Sequence, residues 1–289
     1  MLLQQFQDCP ALWISSATFL SLLIGSFLNV VILRLPKAME HQWKQECRML
    51  LALDEPSESL TRPALAAIAW PNSHCPSCKT PLKAWHNIPL ISYLLLKGRC
   101  EFCNLPISPL YPMVELLTAV LGLAVAWVLG PNWQGVASLV LVYILVAMAF
   151  IDLDHKLLPD QLTLPLMWLG LAINASGIFT SLQDAFWGAV AGYMSLWLVY
   201  WGFRLATGKH GMGYGDFKLL AALGAWMGWQ ALPMIVLMAA VAGIVVGLVL
   251  RLRKTPTDPQ MPFGPYLAVG GLAYLLCGQQ IWGLLNAVF

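Results

Sequence analysis

Long apolar runs separated by short polar connections dominate the chain. They extend from Ala11 to Leu33, Pro112 to Leu129, Val136 to Ile151, Leu162 to Phe179, Ala185 to Leu205, Phe217 to Trp229, Met234 to Leu250 and Gly264 to Val288. A helix needs about 20 apolar residues to cross the hydrocarbon core. The pattern therefore predicts an all-α polytopic membrane protein with about eight transmembrane helices. The sixth run has 13 residues, roughly 20 Å of helix against a core of about 30 Å. Either it extends past these bounds, or the membrane thins there and water reaches in. Residues 34–109 are the one sizeable polar block and hold many prolines. They read as a small cytoplasmic domain inserted between an N-terminal anchor, 1–33, and a membrane domain, 110–289.

Composition sharpens this. The chain is 59% hydrophobic and 10% charged, whereas soluble domains run at about 25% charged. Disorder is excluded by the same hydrophobicity. The net charge of +2 gives no basic field for a nucleic-acid partner. Nine of the 16 Lys and Arg lie between Arg34 and Arg99, and the others are Lys156, Arg204, Lys209, Lys218, Arg251, Arg253 and Lys254. With the first loop cytoplasmic, all fall on the cytoplasmic side. The opposite connections, Gly130 to Gln134, Thr180 to Asp184 and Gln230 to Pro233, carry none. No basic residue precedes the first run and Arg34 follows it, which favours a retained anchor over a cleaved signal peptide. Trp13, Trp133 and Tyr266 read as interfacial anchors. Asn29, beside Gly25 and Ser26, reads as support for close helix packing, and His155 and Lys156 read as interface charges. No internal repeat is evident.

Cys75 and Cys78 form one CxxC pair; Cys100 and Cys103 form a second after 21 intervening residues. This spacing lies just beyond the usual zinc-ribbon range, in which two close thiolate pairs complete one tetrahedral site, and a reducing cytoplasm argues against disulfides. Four thiolates leave no open position, so the zinc is expected to be structural, contributing on the order of 10 kcal/mol to a block too small to fold alone. Pro76 and Ser77 suit the first turn and Gly98 the second. His74 reads as a solvated loop residue. Cys9, Cys47 and Cys277 read as packing residues.

Carboxylates at membrane depth are functional candidates. The third run ends in AFIDLDHKLLPD, which places Asp152 at its cytoplasmic end with Asp154 and Asp160 beyond. The sixth begins after GMGYGDFK, with Asp216 behind Gly211, Gly213 and Gly215. By topology both ends share one face, so these carboxylates, 64 residues apart, can meet. Glycines permit close approach of an extended substrate, and the spacing is not a dinucleotide fingerprint. The plainer alternatives are a helix N-cap for Asp216 and a solvated loop for Asp152 to Asp160. Two nearby aspartates sharing one proton suit peptide hydrolysis. Helix dipoles would then make Asp216 the base and Asp152 the acid.

These residues resemble the type IV prepilin peptidases. The likeness rests on GSFLNVVILRLP (Gly25 to Pro36), the CPSC and CEFC pairs, NIPLISYLLLKGRC (Asn87 to Cys100), ISPLYPMVE (Ile107 to Glu115), IDLDHKLLPD and GYGDFKLLAALGAW. The resemblance implies a bacterial inner-membrane GxGD aspartic peptidase with Asp152 and Asp216 as its catalytic pair. It would cut the basic leader from type IV prepilins and type II secretion pseudopilins at the cytoplasmic face. It also implies N-methylation of the new terminus with S-adenosylmethionine by the 34–109 domain. Lys97, Gly98 and Arg99 are candidates for the methyl-donor region only through that likeness. Glu101 or Asp258 are candidates to attract the basic leader, though both also read as plain surface charges. Glu115 is read as a partner for a loop Lys or Arg, or as an interfacial charge. A multi-pass transporter with a zinc-binding regulatory domain is the rival reading. It requires acids spread across the bilayer, whereas these collect at one face.

Overall fold

The computed structural model describes residues 2–51, 73–75, 77–209, 211–253 and 261–288, with their side chains except those of Leu2, Ala84 and 279–288. The helices are α1 (Leu2–Asp8), α2 (Pro10–Leu50), α3 (Ile91–Leu95), α4 (Leu110–Leu129), α5 (Trp133–His155), α6 (Asp160–Asn174), α7 (Leu182–Thr207), α8 (Tyr214–Met227), α9 (Leu232–Leu252) and α10 (Gly264–Val288). No strand occurs among the described residues. Each of the eight apolar runs falls largely within a helix, although α6 ends at Asn174, before the expected end at Phe179. Among the described residues, four helices are long and apolar enough to cross a membrane: α2, α4, α5 and α9 with the 3-10 turn Trp229–Ala231 before it. At 15 and 14 residues, α6 and α8 measure only about 21–23 Å. The fold is thus polytopic and all-α, while the count of eight full spans goes beyond what length and hydropathy support.

The chain divides into two compact units, Ile14–Leu123 and Met1–Trp13 with Ala124–Phe289. In the first, α2 continues for 41 residues through Pro36, past the expected end at Leu33. One missing N–H does not stop a helix whose neighbours still propagate it. Ser21, Gly25 and Asn29, four residues apart, share the face of α2 turned to α4. A Cβ at Gly25 would lie 2.8 Å from Glu115 Cα, and Asn29 Nδ2 donates to the Tyr111 carbonyl at 3.0 Å. Asn29 therefore serves close helix packing, as its small neighbours suggest.

In the second unit α8 is the central element, packed by α6, α7 and α10, with Phe217, Leu219, Leu220, Leu223 and Trp226 fully buried. Its shortness follows from that enclosure, because protein rather than lipid surrounds it. Two devices bring the neighbours close. Gly188 of α7 and Gly224 of α8 each meet the other's carbonyl oxygen where a Cβ would stand. The Trp226 indole donates to the Leu166 carbonyl at 2.8 Å. Asn174 then ties the end of α6 to α8. Its Nδ2 donates to the carbonyls of Ala225 (2.8 Å) and Trp226 (2.9 Å), and its Oδ1 accepts the Phe179 and Thr180 amides. Asn174→Ala strands these buried groups and is expected to cost about 3 kcal/mol, read as a lower melting temperature in detergent; an unchanged melt would contradict it.

Some residues depart from their expected roles. Trp13 is buried and its indole donates to the Ala126 carbonyl at 3.2 Å, so it braces helices rather than anchoring at an interface. Trp133 is exposed, while Tyr266 packs partly buried against the core near Gly243. Cys9, Cys47 and Cys277 are exposed, not packed.

Candidate functional site

Asp152 lies in the last turn of α5. That helix stops at Lys156, which adopts a left-handed conformation (φ 53°) and donates its N–H to the Asp152 carbonyl at 2.9 Å. Asp216 is the third residue of α8, behind Gly213 as N-cap. Its own N–H donates to the Gly213 carbonyl at 3.3 Å, so it is not the N-cap itself. Both aspartates are buried, which excludes the solvated-loop reading for Asp152, while Asp154 is exposed. Asp152 lies within electrostatic range of Asp216. Leu158, in the link after α5, occupies the space that a Cβ would need at either Gly215 (2.7 Å) or Gly264 (3.1 Å). At the edge, Lys218 Nζ holds both oxygens of Asp160 at 2.7 Å, joining the starts of α6 and α8.

Gly264 was not foreseen. Its N–H, the first of α10, donates to Asp152 Oδ2 at 3.0 Å, and a Cβ there would stand 2.6 Å from that oxygen. The prolines flanking Phe263 and Gly264 in MPFGP were the available signal, since proline marks helix starts. The bond also revises the dipole argument. Asp152 sits at the negative end of α5 but at the positive end of α10, so helix ends alone no longer assign it the acid role. Gly264→Ala adds a clash and keeps the donor; Gly264→Pro also removes the donor at a position where helices accept proline. Hydrolysis that uses Asp152 is expected to fall about 100-fold in kcat in the Pro variant with little change in KM, below the Ala variant; equal activities would show the amide to be irrelevant.

The other unit gathers Cys75, Cys78, Cys100 and Cys103, whose sulfurs all lie within 4.8 Å of one another. Tetrahedral zinc with Zn–S near 2.3 Å requires S···S distances of about 3.8 Å, and Cys75 and Cys103 stand 3.9 Å apart. The donor set and spacing fit a closed thiolate site. Residues 73–82 and 98–107 build it twice over, a repeat that the sequence alone did not disclose. Cys75 N–H donates to the Thr80 carbonyl and Lys79 N–H to the Cys75 carbonyl; Cys100 N–H donates to the Leu105 carbonyl and Asn104 N–H to the Cys100 carbonyl. Lys79 (φ 59°) and Asn104 (φ 55°) take matching left-handed conformations, and bridges close each turn at His74–Pro81 and Arg99–Pro106. Hydrogen bonds from the Thr80 side chain and backbone pull the Cys78 thiol down to about 6, while burial and the three neighbouring sulfurs push Cys103 up to about 11, so the four thiols do not ionise independently. Pro76 lies outside the described residues.

Lys97 (φ 51°) and Gly98 (φ 68°) make a sharp turn between α3 and the second cysteine pair. A Cβ at Gly98 would press on the Tyr93 hydroxyl at 3.0 Å, so the turn itself accounts for glycine there. Lys97 and Arg99 are exposed. His86 Nδ1 accepts the Lys83 N–H, so its Nε2–H donates to Glu101 at 2.7 Å, and Glu101 is not a plain surface charge. Glu115 is buried, and its partner is the Leu90 amide at 2.8 Å, not a loop Lys or Arg. Asp258 lies outside the described residues.

Comparison with known proteins joins these observations. Residues 19–129 match the Bacterial Peptidase A24 N-terminal domain and residues 139–248 the Type IV leader peptidase family. The chain is 54% identical over 275 residues to the prepilin leader peptidase/N-methyltransferase of Stutzerimonas stutzeri, spanning 94% of this chain and 93% of that one. It is 51% identical over 282 residues to the protein of that description in Pseudomonas aeruginosa (97% and 96% covered). For that of Aeromonas hydrophila the figure is 52% over 289 residues (99% and 99%). No solved structure matches the chain.

Proposed function

We propose, from the premise that the chain belongs to the type IV leader peptidase family, that it hydrolyses prepilin leaders through Asp152 and Asp216. It is a membrane enzyme, a prepilin peptidase with N-methyltransferase activity. The proposal concerns how this chain performs those reactions. What supports it is the burial of two carboxyl groups, Asp152 within electrostatic range of Asp216, at ends of α5 and α8 that pack around Leu158.

Two carboxyl groups so placed do not both ionise; they hold one proton between them. The ionised member takes a proton from water as the water oxygen bonds to the scissile carbonyl carbon. The protonated member gives its proton to the carbonyl oxygen. Collapse of the tetrahedral intermediate returns that hydroxyl proton to one carboxylate. The proton taken from water passes to the leaving nitrogen as the C–N bond breaks, and the pair is left monoprotonated again. Because Oδ2 of Asp152 accepts the Gly264 N–H, a proton residing on Asp152 belongs on Oδ1. Gly213 beside Asp216 leaves room for an extended substrate backbone, whereas the space at Gly215 is taken by Leu158. The concentration of these buried acids at one set of helix ends favours hydrolysis over an ion relay, which needs acids along the membrane depth.

We place the pair at the cytoplasmic face of a bacterial inner membrane, following the distribution of basic residues. Type IV prepilins are the substrates, and type II secretion pseudopilins a second set of the same chemistry. The division into a 1–33 anchor, a 34–109 methyl-transfer domain and a 110–289 peptidase domain belongs to the same proposal. Zinc in the four-cysteine site would supply structure alone. S-adenosylmethionine when bound supplies the methyl group. Lys97, Gly98 and Arg99 remain the proposed region for it, the two exposed cations being suited to its carboxylate.

The deciding experiment incubates purified protein with a prepilin and S-adenosylmethionine and reads the new N-terminus by mass spectrometry. Wild type should give the leader-free, methylated product. Asp152→Asn and Asp216→Asn should give none from intact prepilin, yet still methylate a pilin supplied without its leader. Cleavage persisting in either variant would remove the pair from the mechanism.

A further inference from the structure

The short segment between the two cysteine pairs has its polarity reversed. Ser92 and Glu115 are buried, while Ile88, Ile91, Leu94 and Leu95 are exposed, Leu94 and Leu95 to 74% and 69%. A module surrounded by water arranges these residue types the other way round. We propose that residues 87–96 form a membrane-inserted hairpin, its apolar side chains seated among lipid acyl chains and the basic residues around it at the phospholipid headgroups.

The bonds within this unit fix how deep the segment lies. Ser26 donates to the Asn87 carbonyl at 3.5 Å, and Glu115 accepts the Leu90 N–H at 2.8 Å. Ser26 stands eight residues before Arg34, the first charged residue of α2, about 12 Å along the helix. Glu115 is five residues into α4, about 8 Å from its start. The loop is therefore held against the apolar parts of two membrane-crossing helices, at the depth reached by interfacial elements, about 5–10 Å.

Irregular backbone at such depth is tolerated only when its polar groups are satisfied within the protein, and here they are. Glu115 takes the Leu90 amide, with Ser26 within reach of the same carboxyl group. Ser92 Oγ donates to the His86 carbonyl at 2.6 Å, and the amides of Ser92, Leu94 and Leu96 donate to the carbonyls of Ile88, Leu90 and Ser92. Leu90 takes φ 57° and ψ −47°, and the Ile91 N–H closes the turn on the Pro89 carbonyl. A leucine at the centre of this γ-turn is strained by about 1–3 kcal/mol, and the Glu115 bond is what holds it. A buried glutamate thus serves to let the backbone turn inside the apolar layer. Around the segment, Lys83, Lys97 and Arg99 are exposed, the charge that anionic headgroups attract. Glu101 is occupied by His86. The Lys97–Arg99 turn would then sit at the membrane surface, where a newly cut membrane-anchored substrate presents its terminus.

The test uses the full chain in vesicles of phosphatidylethanolamine and phosphatidylglycerol. Single variants carry p-benzoylphenylalanine in place of Ile91, Leu94, Phe19 on the exposed face of α2, or Asn104 in the second cysteine turn. After illumination, adducts are identified by mass spectrometry, and retained metal content certifies that each variant is folded. Positions 91 and 94 should yield phospholipid adducts comparable to position 19 and about tenfold above position 104, since lipid contact is close to all-or-none for such segments. Cross-links from positions 91 and 94 to residues 52–72 or to a second copy, or lipid yields no higher than at position 104, would overturn the proposal.

Discussion

Asp216→Asn is expected to abolish leader cleavage, by about 10⁴-fold or more in kcat, as removal of one member of an interdependent catalytic set does elsewhere. Asp152→Asn should do the same. The asparagine amide matches the carboxyl in shape but neither gives nor takes the proton, so substrate binding should survive and KM change little. Wild-type cleavage should follow a bell-shaped pH profile, because activity requires one carboxyl ionised and one protonated. Stability should hardly change. The shared proton already leaves the buried pair with a single charge, and asparagine keeps the shape of the side chain it replaces, so the inactive variants should melt no lower than wild type. A variant that loses activity and unfolds would point to a structural role instead. The readings are product mass, KM against kcat, and thermal melts in one detergent.

Cys100→Ser should empty the four-sulfur site and unravel the turns around it. Binding of a structural metal by four thiolates contributes on the order of 10 kcal/mol to folding, and this small module has little else to replace it. Because residues 73–82 and 98–107 build equivalent turns, Cys75→Ser should be as damaging as Cys100→Ser, with metal content and protease resistance falling together. A strong thiophilic chelator should reproduce the effect on wild type. The unit holding Asp152 and Asp216 has its own core, so its melt should persist. Full metal content in either serine variant, or protease resistance unchanged by its loss, would contradict the assignment.

The main features of the fold were legible because each rests on a one-dimensional pattern. Apolar run length revealed the helices, and the spacing of Cys75, Cys78, Cys100 and Cys103 revealed the sulfur cluster. Asp152 and Asp216 followed from charge at apolar helix ends. What stayed hidden depends on contacts between distant residues. The Gly264 amide reaches Asp152 across 112 positions, and a backbone donor leaves no trace in side-chain chemistry. Glu115 looked like a candidate for an ion pair because nothing in its neighbourhood shows that an amide would turn towards it. The twin cysteine turns share only Cys, Cys and Pro by identity, so their likeness lies in hydrogen bonds and left-handed residues. Trp13 misled because interfacial and buried tryptophans occupy the same helix-end positions.

Gly188 and Gly224 bring the backbones of α7 and α8 into contact, which bars one route for a substrate helix arriving from the bilayer. Nothing can be withdrawn there to make a doorway, because no side chain lies between the two helices at that crossing. Lateral admission must use a seam closed by side chains that can swing aside, and a cross-link joining α7 to α8 at this crossing should leave turnover intact.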